Sequence, residues 1–234
     1  MSKIAVISDI HGKIYALETI LKDIEKQRGI SEILCLGDVV GYYPYPNECI
    51  ELIKEHCSIT LMGNHDAGVI GYEPAFYFNP VAYEMILWTK KELSEKNMDW
   101  LTQLPKMRII ERDGKSIYMV HGTPFKIFDY FEAHSENSWM ELLDRAFKKT
   151  LTDILLVGHT HIPVLRTFNE HLFLNPGSVG QPRNGKPGAY YAILTPKKMK
   201  AKLIRLDYDY RPLQKDMEKL KLPISLSERL ALGR

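Results

Sequence analysis

Ile4-Ala5-Val6-Ile7-Ser8-Asp9-Ile10-His11-Gly12, near the amino end of the 234-residue chain, runs from four apolar residues into a carboxylate, an imidazole and a glycine. An apolar β-type run that stops at polar donors is the mark of a buried strand passing ligands to a loop, where α/β sheets gather their sites. The pattern recurs. Ile33-Leu34-Cys35-Leu36 precedes Gly37-Asp38-Val39-Val40-Gly41, Ile117-Tyr118-Met119-Val120 precedes His121-Gly122, and Ile154-Leu155-Leu156-Val157 precedes Gly158-His159-Thr160-His161. A fifth, polar-interrupted run, Ile59-Thr60-Leu61-Met62, leads into Gly63-Asn64-His65-Asp66. The reading is an α/β (α+β) protein whose donors converge from the carboxyl ends of several strands.

Between these strands the apolar spacing turns helical. Ile14, Leu17, Leu21 and Ile24 share one face, with Gly29 where a C-terminal cap would stand. A second helix is expected from Pro46–Asn47, carrying Cys49, Ile50 and Ile53, and a loop over 67–80 leads to a third around Val81–Leu93. Trp139, Leu142, Leu143, Ala146 and Phe147 mark another between Ser135 and Lys149. After Thr152 the chain reads mostly as strands, at 153–157, 163–167, 171–174, 189–195 and 201–206, with Lys197–Lys202 a solvated β-turn. Two mixed β-sheets face to face, with helices outside, account for this order. One domain over 1–206 is expected. The segment 207–234, helical around Leu213–Leu220 with a short Leu226/Leu230/Leu232 piece, is expected to pack on the same domain, an oligomer contact being the other reading.

Counting donors turns the pattern into a metal argument. Leaving Asp66 aside, the motifs supply two Asp carboxylates, one Asn amide and five of the chain's eight histidines, with no thiol. Imidazole with carboxylate suits Mn, Fe, Ni or Zn rather than Ca or Mg. The donors exceed what one tetrahedral site needs, so two ions sharing a carboxylate fit better, and such pairs serve phosphoryl displacement. Any one motif alone is weak, since a lone histidine is more often a core or surface residue. Their joint occurrence, each after its own strand, has no comparable structural explanation.

Asp-x-His, Gly-Asp-x-x-Gly, Gly-Asn-His-Asp, a lone His and Gly-His-x-His in this order resemble the calcineurin-like metallophosphoesterases. Val40-Gly41-Tyr42-Tyr43-Pro44-Tyr45-Pro46-Asn47-Glu48 and Asn175-Pro176-Gly177-Ser178-Val179-Gly180-Gln181-Pro182-Arg183 resemble, more narrowly, their small bacterial and archaeal phosphodiesterase branch. The resemblance covers about residues 1–206 and implies a four-layer αββα sandwich. It implies one metal held by Asp9, His11, Asp38 and His161, and a second by Asp38, Asn64, His121 and His159, with Asp38 bridging. His65 would stand beside the phosphate and assist the leaving oxygen, with Asp66 able to orient it. A water between two such ions loses its proton near neutral pH, so the expected nucleophile is hydroxide and no Ser or Cys is needed. The expected activity is a phosphodiesterase on nucleotide-type substrates, with dinucleoside polyphosphates such as diadenosine tetraphosphate among the candidate targets. A phosphomonoesterase or protein phosphatase is the alternative, and a non-catalytic interaction module of the same fold a more distant one, because such modules typically carry an eroded site.

Substrate contacts are read more loosely. Arg183, in a glycine-rich loop with Asn184 and Lys186, could reach phosphate oxygens, and Ser178 sits in the same segment. Tyr42, Tyr43 and Tyr45 could stack on a base or pack the following helix, and Phe125, Phe128, Tyr130 and Phe131 form a second candidate rim. A formal charge of +2 without a basic stripe gives no strong nucleic-acid signal. Cys35, Cys49 and Cys57 lack any CxxC spacing, and Cys35 and Cys49 sit on apolar faces, which favours reduced thiols and a cytoplasmic setting. No run approaches the ~18 apolar residues of a membrane span, and no signal-peptide pattern precedes Asp9.

Overall fold

A computed structural model describes residues 2–73 and 78–233. Ten strands form two five-stranded mixed sheets. The first holds β1 (Lys3–Ile7), β2 (Ile30–Cys35), β3 (Ile59–Thr60), β9 (Ala189–Thr195) and β10 (Lys200–Leu206), in the order β10-β9-β1-β2-β3. The second holds β4 (Met107–Arg112), β5 (Lys115–Val120), β6 (Ile154–Leu156), β7 (Val164–Phe168) and β8 (His171–Asn175), in the order β4-β5-β6-β8-β7. Each has a parallel centre, β1-β2-β3 and β5-β6-β8, with antiparallel partners outside.

Period-two alternation decides which side chains meet. Ile4, Val6, Leu34, Ala192 and Leu194 of the first sheet pack against Ile117, Met119, Ile154, Leu156, Leu172 and Leu174 of the second. The opposite face of the first sheet, with Ala5, Ile7, Ile33, Cys35 and Tyr191, is covered by α1 (Ile14–Lys26) and α2 (Pro46–His56). The opposite face of the second, with Leu155, Val157 and Phe173, is covered by Leu143, Ala146 and Phe147 of α6 (Glu136–Thr150). The result is a helix–sheet–sheet–helix sandwich, the layering the chain's order of elements predicts. The five further helices among the described residues are α3 (Asn64–Val69), α4 (Pro80–Glu92), α5 (Glu95–Thr102), α7 (Arg211–Lys219) and α8 (Ile224–Arg229). Leu213, Met217, Leu226 and Leu230 of the C-terminal segment bury against Tyr42, Tyr43, Ala82 and Met85.

Sequence spacing misses three elements. α3 begins at Asn64 inside the stretch read as strand-then-loop, and β4 and α5 have no counterpart in the sequence reading. Helix α1 stops at Lys26 with Gln27 extended at its cap, so Gly29, at φ +80°, serves the turn into β2 rather than the cap. The loop read over 67–80 lies partly at 74–77, outside the described residues. Cys35 and Cys49 are buried and all three thiols are free. Among the described residues no helix is long and apolar enough to cross a membrane.

Asp153 ties the α6–β6 turn to β5. Its carboxylate accepts from Lys115 Nζ, Ser116 N and Ser116 Oγ, each at 2.8 Å. Burial raises its pKa, but these donors outweigh that and hold it at about 2, below the ordinary 3.8. A carboxyl depressed in the folded state adds stability above its unfolded pKa and loses it as pH falls through the folded one. The contribution of Asp153 therefore fades between pH ~4 and ~2. Asp153→Asn is expected to flatten that part of the acid unfolding profile, followed by circular dichroism, and an unchanged acid limb would exclude the role.

Candidate metal centre and cleft

The strand ends deliver the donors. Asp9 and His11 follow β1, Asp38 follows β2, Asn64 opens α3 just after β3, His121 follows β5, and His159 and His161 follow β6. All seven are buried. Asp9, His11, Asp38 and His161 form one group of mutually close ligand atoms, and Asp38, His121 and His159 form a second. Asn64 Oδ1 lies 3.3 Å from His121 Nε2, beside the second group. Asp38 belongs to both.

Several of these residues sit in backbone that disfavours a side chain. Asp9, His11, Asp38, His159 and His161 have φ between 54° and 66°, the left-handed region. Such a conformation costs a non-glycine residue about 1 kcal/mol or more and clusters at functional sites. It lets two donors separated by one residue, as in Asp9-Ile10-His11, reach the same point. Close approach explains Gly63, where any Cβ would overlap the Asp38 carboxylate and backbone nitrogen.

Hydrogen bonding tests whether the group fits cations. His11 Nδ1 faces Val40 O at 3.3 Å, His121 Nδ1 faces Leu36 O at 2.9 Å, and His161 Nδ1 faces Gln181 O at 2.5 Å. A ring nitrogen against a carbonyl carries the proton, so Nε2 of His11 and of His161 presents a lone pair. His11 Nε2 and His161 Nε2 then stand 3.1 Å apart, two acceptors with no proton between them. Asp9 Oδ1 and Asp38 Oδ2 are buried without a hydrogen-bond partner. Asp38 Oδ2 lies 3.7 Å from His11 Nε2 and 3.4 Å from His121 Nε2. Buried acceptors turned on one another suit a cation, and each of the two donor groups could hold a metal ion.

Protonation follows the same logic. Burial favours a neutral Asp9, yet the His161 and His121 imidazoles pull its carboxyl below the usual range. Burial raises Asp38 too, and His121, His65 and His11 again bring it well down. Burial lowers His11, and it lowers His159 to about 3 with His121 adding repulsion. His121 is the exception: burial works against its charge, but Asp38 and Asp9 lift it to about 9. Most donors are already in the form a metal takes, and binding would displace one proton, from His121.

Above this floor opens a cleft of about 660 Å³, lined by Asp38, Asn64, His159 and His161 below and by His65, Tyr42, Phe78, Phe128, Tyr130, Arg183 and Arg229 around it. His65 lies outside both ligand groups, its ring edge-on to His11 and Phe78. Its Nδ1 has no partner, and burial pushes its imidazole down to about 4. Tyr42 does pack, as its sequence context suggests, but against His11 and His65 on the cleft wall. Phe128 and Tyr130 reach the rim, with Tyr130 against the His159 ring at 4.2 Å. Phe131 instead joins the core beneath α6.

Three sequence expectations meet a different geometry. The Asp66 carboxylate makes no hydrogen bond to the His65 ring. It accepts from the backbone N–H groups of Asp38 (2.9 Å), Gly63 (2.9 Å), Val39 (3.0 Å) and Val40 (3.1 Å). It shapes the loop that carries Asp38. Tyr43 is buried, its ring 4.7 Å from Lys13 Nζ, and does not line the cleft. Ser178 is fully buried, donating to Asp9 O at 2.8 Å and accepting from Gln181 N at 2.7 Å, so it braces the Asp9 loop. Arg183 does face the cleft, held by Tyr130 Oη and Gln181 Oε1. Arg229, which no motif marks, joins it.

Asp66→Asn is expected to leave two of those four N–H donors facing an amide nitrogen. An unsatisfied buried donor costs about 1–3 kcal/mol, so thermal unfolding should begin several degrees lower and ions should wash out more easily. An unchanged melting temperature with full metal retention would rule out the bracing role.

Comparison with known proteins gives this geometry its family. A profile described as "Calcineurin-like phosphoesterase superfamily domain" matches residues 2–199. An uncharacterized protein of Methanocaldococcus jannaschii is 40% identical over 252 aligned residues, covering 100% of this chain and 99% of its own. The Escherichia coli phosphodiesterase YfcE is 26% identical over 196 residues, 81% of this chain and 86% of the enzyme. The crystal structure of a metallophosphoesterase from Sphaerobacter thermophilus superposes with a TM-score of 0.84 at 33% identity, covering 100% of this chain and 99% of that one. Two donor groups on the ends of parallel strands, and a profile running through all five motifs, place the chain in the calcineurin-like phosphoesterase superfamily, as a metal-dependent phosphoric ester hydrolase.

Proposed function

We propose that the protein is a dinuclear phosphodiesterase acting on small nucleotide-type phosphodiester or phosphoanhydride bonds, with dinucleoside polyphosphates as candidate substrates. The observation that carries this reading is the position of Asp38 Oδ2, unpartnered and shared by two donor groups at the floor of the cleft. In this reading Asp9, His11, Asp38 and His161 hold one cation, and Asp38, Asn64, His121 and His159 hold the other. Mn, Fe, Ni and Zn fit that donor set. When bound, such a pair supplies Lewis acidity and a nucleophile from water near neutral pH.

The remaining residues divide the work. His65, neutral near pH 7 with its pKa at about 4, offers an N–H to the leaving oxygen, and an anionic phosphate beside it would favour its protonated form. Tyr42 and Phe78 fix that ring from either side. Tyr130 and Phe128 present aromatic faces at the rim, suited to a base. A phosphodiester is supported over a monoester by the name of the Escherichia coli relative. The 660 Å³ cleft also leaves room for groups on both sides of one phosphorus.

The test is hydrolysis of bis-p-nitrophenyl phosphate against p-nitrophenyl phosphate, with Mn added and then chelated. Faster diester cleavage is expected, falling to background on chelation and returning when Mn is restored. A clear monoester preference would move the reading to a phosphomonoesterase. Two bound ions without any turnover would favour an interaction module instead.

A further inference from the structure

The C-terminal segment contributes one side chain to the cleft. Arg229, the last residue of α8, lines it together with Arg183. It rises from an anchored element. Leu226 and Leu230 are buried against Tyr42 and Tyr43, Gln214 Nε2 donates to Ser227 O at 3.2 Å, and Gly185 N donates to Gly233 O at 3.0 Å. This segment lies beyond residues 2–199, the span of the family profile, so Arg229 adds to the cleft something the profile does not describe.

Among the described residues, neither guanidinium group has a carboxylate partner. Arg112, Arg166, Arg205 and Arg211 each pair with a carboxylate, whereas among the described residues neither Arg183 nor Arg229 has one within salt-bridge distance. Arg183 is held only by neutral oxygens, Tyr130 Oη at 3.4 Å and Gln181 Oε1 at 3.2 Å. The side chain of Arg229 makes no hydrogen bond among the described residues. Glu73 is the single carboxylate on the rim. Two half-buried cations line one cleft, and the guanidinium fork matches the paired oxygens of a phosphate better than any other common anion save carboxylate. A phosphodiester brings one negative charge, which the floor of the cleft would take up. A second phosphate would satisfy the arginines.

We propose that Arg183 and Arg229 form an anion subsite for a second, non-reacting phosphate, so that preferred substrates carry a phosphate flanking the one cleaved. The inference rests on the phosphodiesterase reading and narrows it to organic polyphosphates. The comparison to make is the ratio of kcat/KM for diadenosine tetraphosphate to kcat/KM for bis-p-nitrophenyl phosphate, which has no second phosphate. In Arg229→Gln this ratio is expected to fall about 10–100-fold, the scale of one charge-assisted contact. Arg229→Lys, which keeps the charge but not the fork, should recover part of it. A binding readout independent of turnover is the melting temperature of metal-stripped protein with inorganic tripolyphosphate, expected to rise in the wild type and to rise less in Arg229→Gln. An unchanged ratio, or no tripolyphosphate shift in the wild type, overturns the subsite while bis-p-nitrophenyl phosphate hydrolysis leaves the diesterase reading standing. A wild type that cleaves neither substrate overturns the reading underneath.

Discussion

Asp38→Ala is expected to lose both ions together. The Asp38 carboxylate is anchored by one oxygen, Oδ1, which accepts from His65 N at 2.8 Å, while Oδ2 is left facing His11 and His121 from the two donor groups. Without it the second group keeps only neutral donors, Asn64, His121 and His159, and the first keeps a single carboxylate, Asp9, to offset cationic charge. Removing a single electrostatic donor from an active site typically costs about 10²–10³-fold, and removing one that serves two ions should cost at least that upper figure. Metal content by plasma mass spectrometry, measured beside diester turnover, decides it. Retention of one full equivalent would mean that Asp38 serves one ion only, and retention of both would remove it from the centre.

His65→Ala should behave in the opposite way, keeping both ions and losing about 10²–10⁴-fold in kcat. The ring lies outside both ligand groups, and its Nδ1 is a buried nitrogen with nothing to bond. The ring lines the cleft beside the two donor groups, where a leaving oxygen would stand. The substitution also removes the ring that Tyr42 and Phe78 pack against, so melting temperature should be recorded with turnover. A variant that is metal-free, or one that is fully active, would end the assignment.

Much of this could be read from the chain because each ligand follows its own strand. The runs before Asp9, Asp38, His121 and His159 became β1, β2, β5 and β6, and the mostly β-type stretch after Thr152 became β6 to β10. What escaped has physical reasons. Six residues of α3 complete too few turns to show a helical period, and they contain a glycine. β4 lies at a sheet edge with Met107, Arg108, Ile109 and Glu111 exposed, so no buried stripe marks it. Asp66 was read as the partner of His65 because they are neighbours in sequence. On a helix, successive side chains point about 100° apart, and this one points back at the β2 loop. Tyr43 and Ser178 carry plausible chemistry, but residue type alone does not tell which side of a loop faces the cleft. Arg229 stands 68 positions after His161, and only the folding of the tail onto Tyr42 and Tyr43 brings it near.

The left-handed turns at Asp9, His11, Asp38, His159 and His161 set the fold's own preference against its chemistry. At each of them glycine would relax the backbone, but it would also give up the hydrogen bonds these side chains make, such as that from His65 N to Asp38 Oδ1. In a lineage released from catalysis, these five positions are where glycine or asparagine would relieve the most backbone strain. The ligand set of this chain is therefore a standing expense that only continued use would maintain.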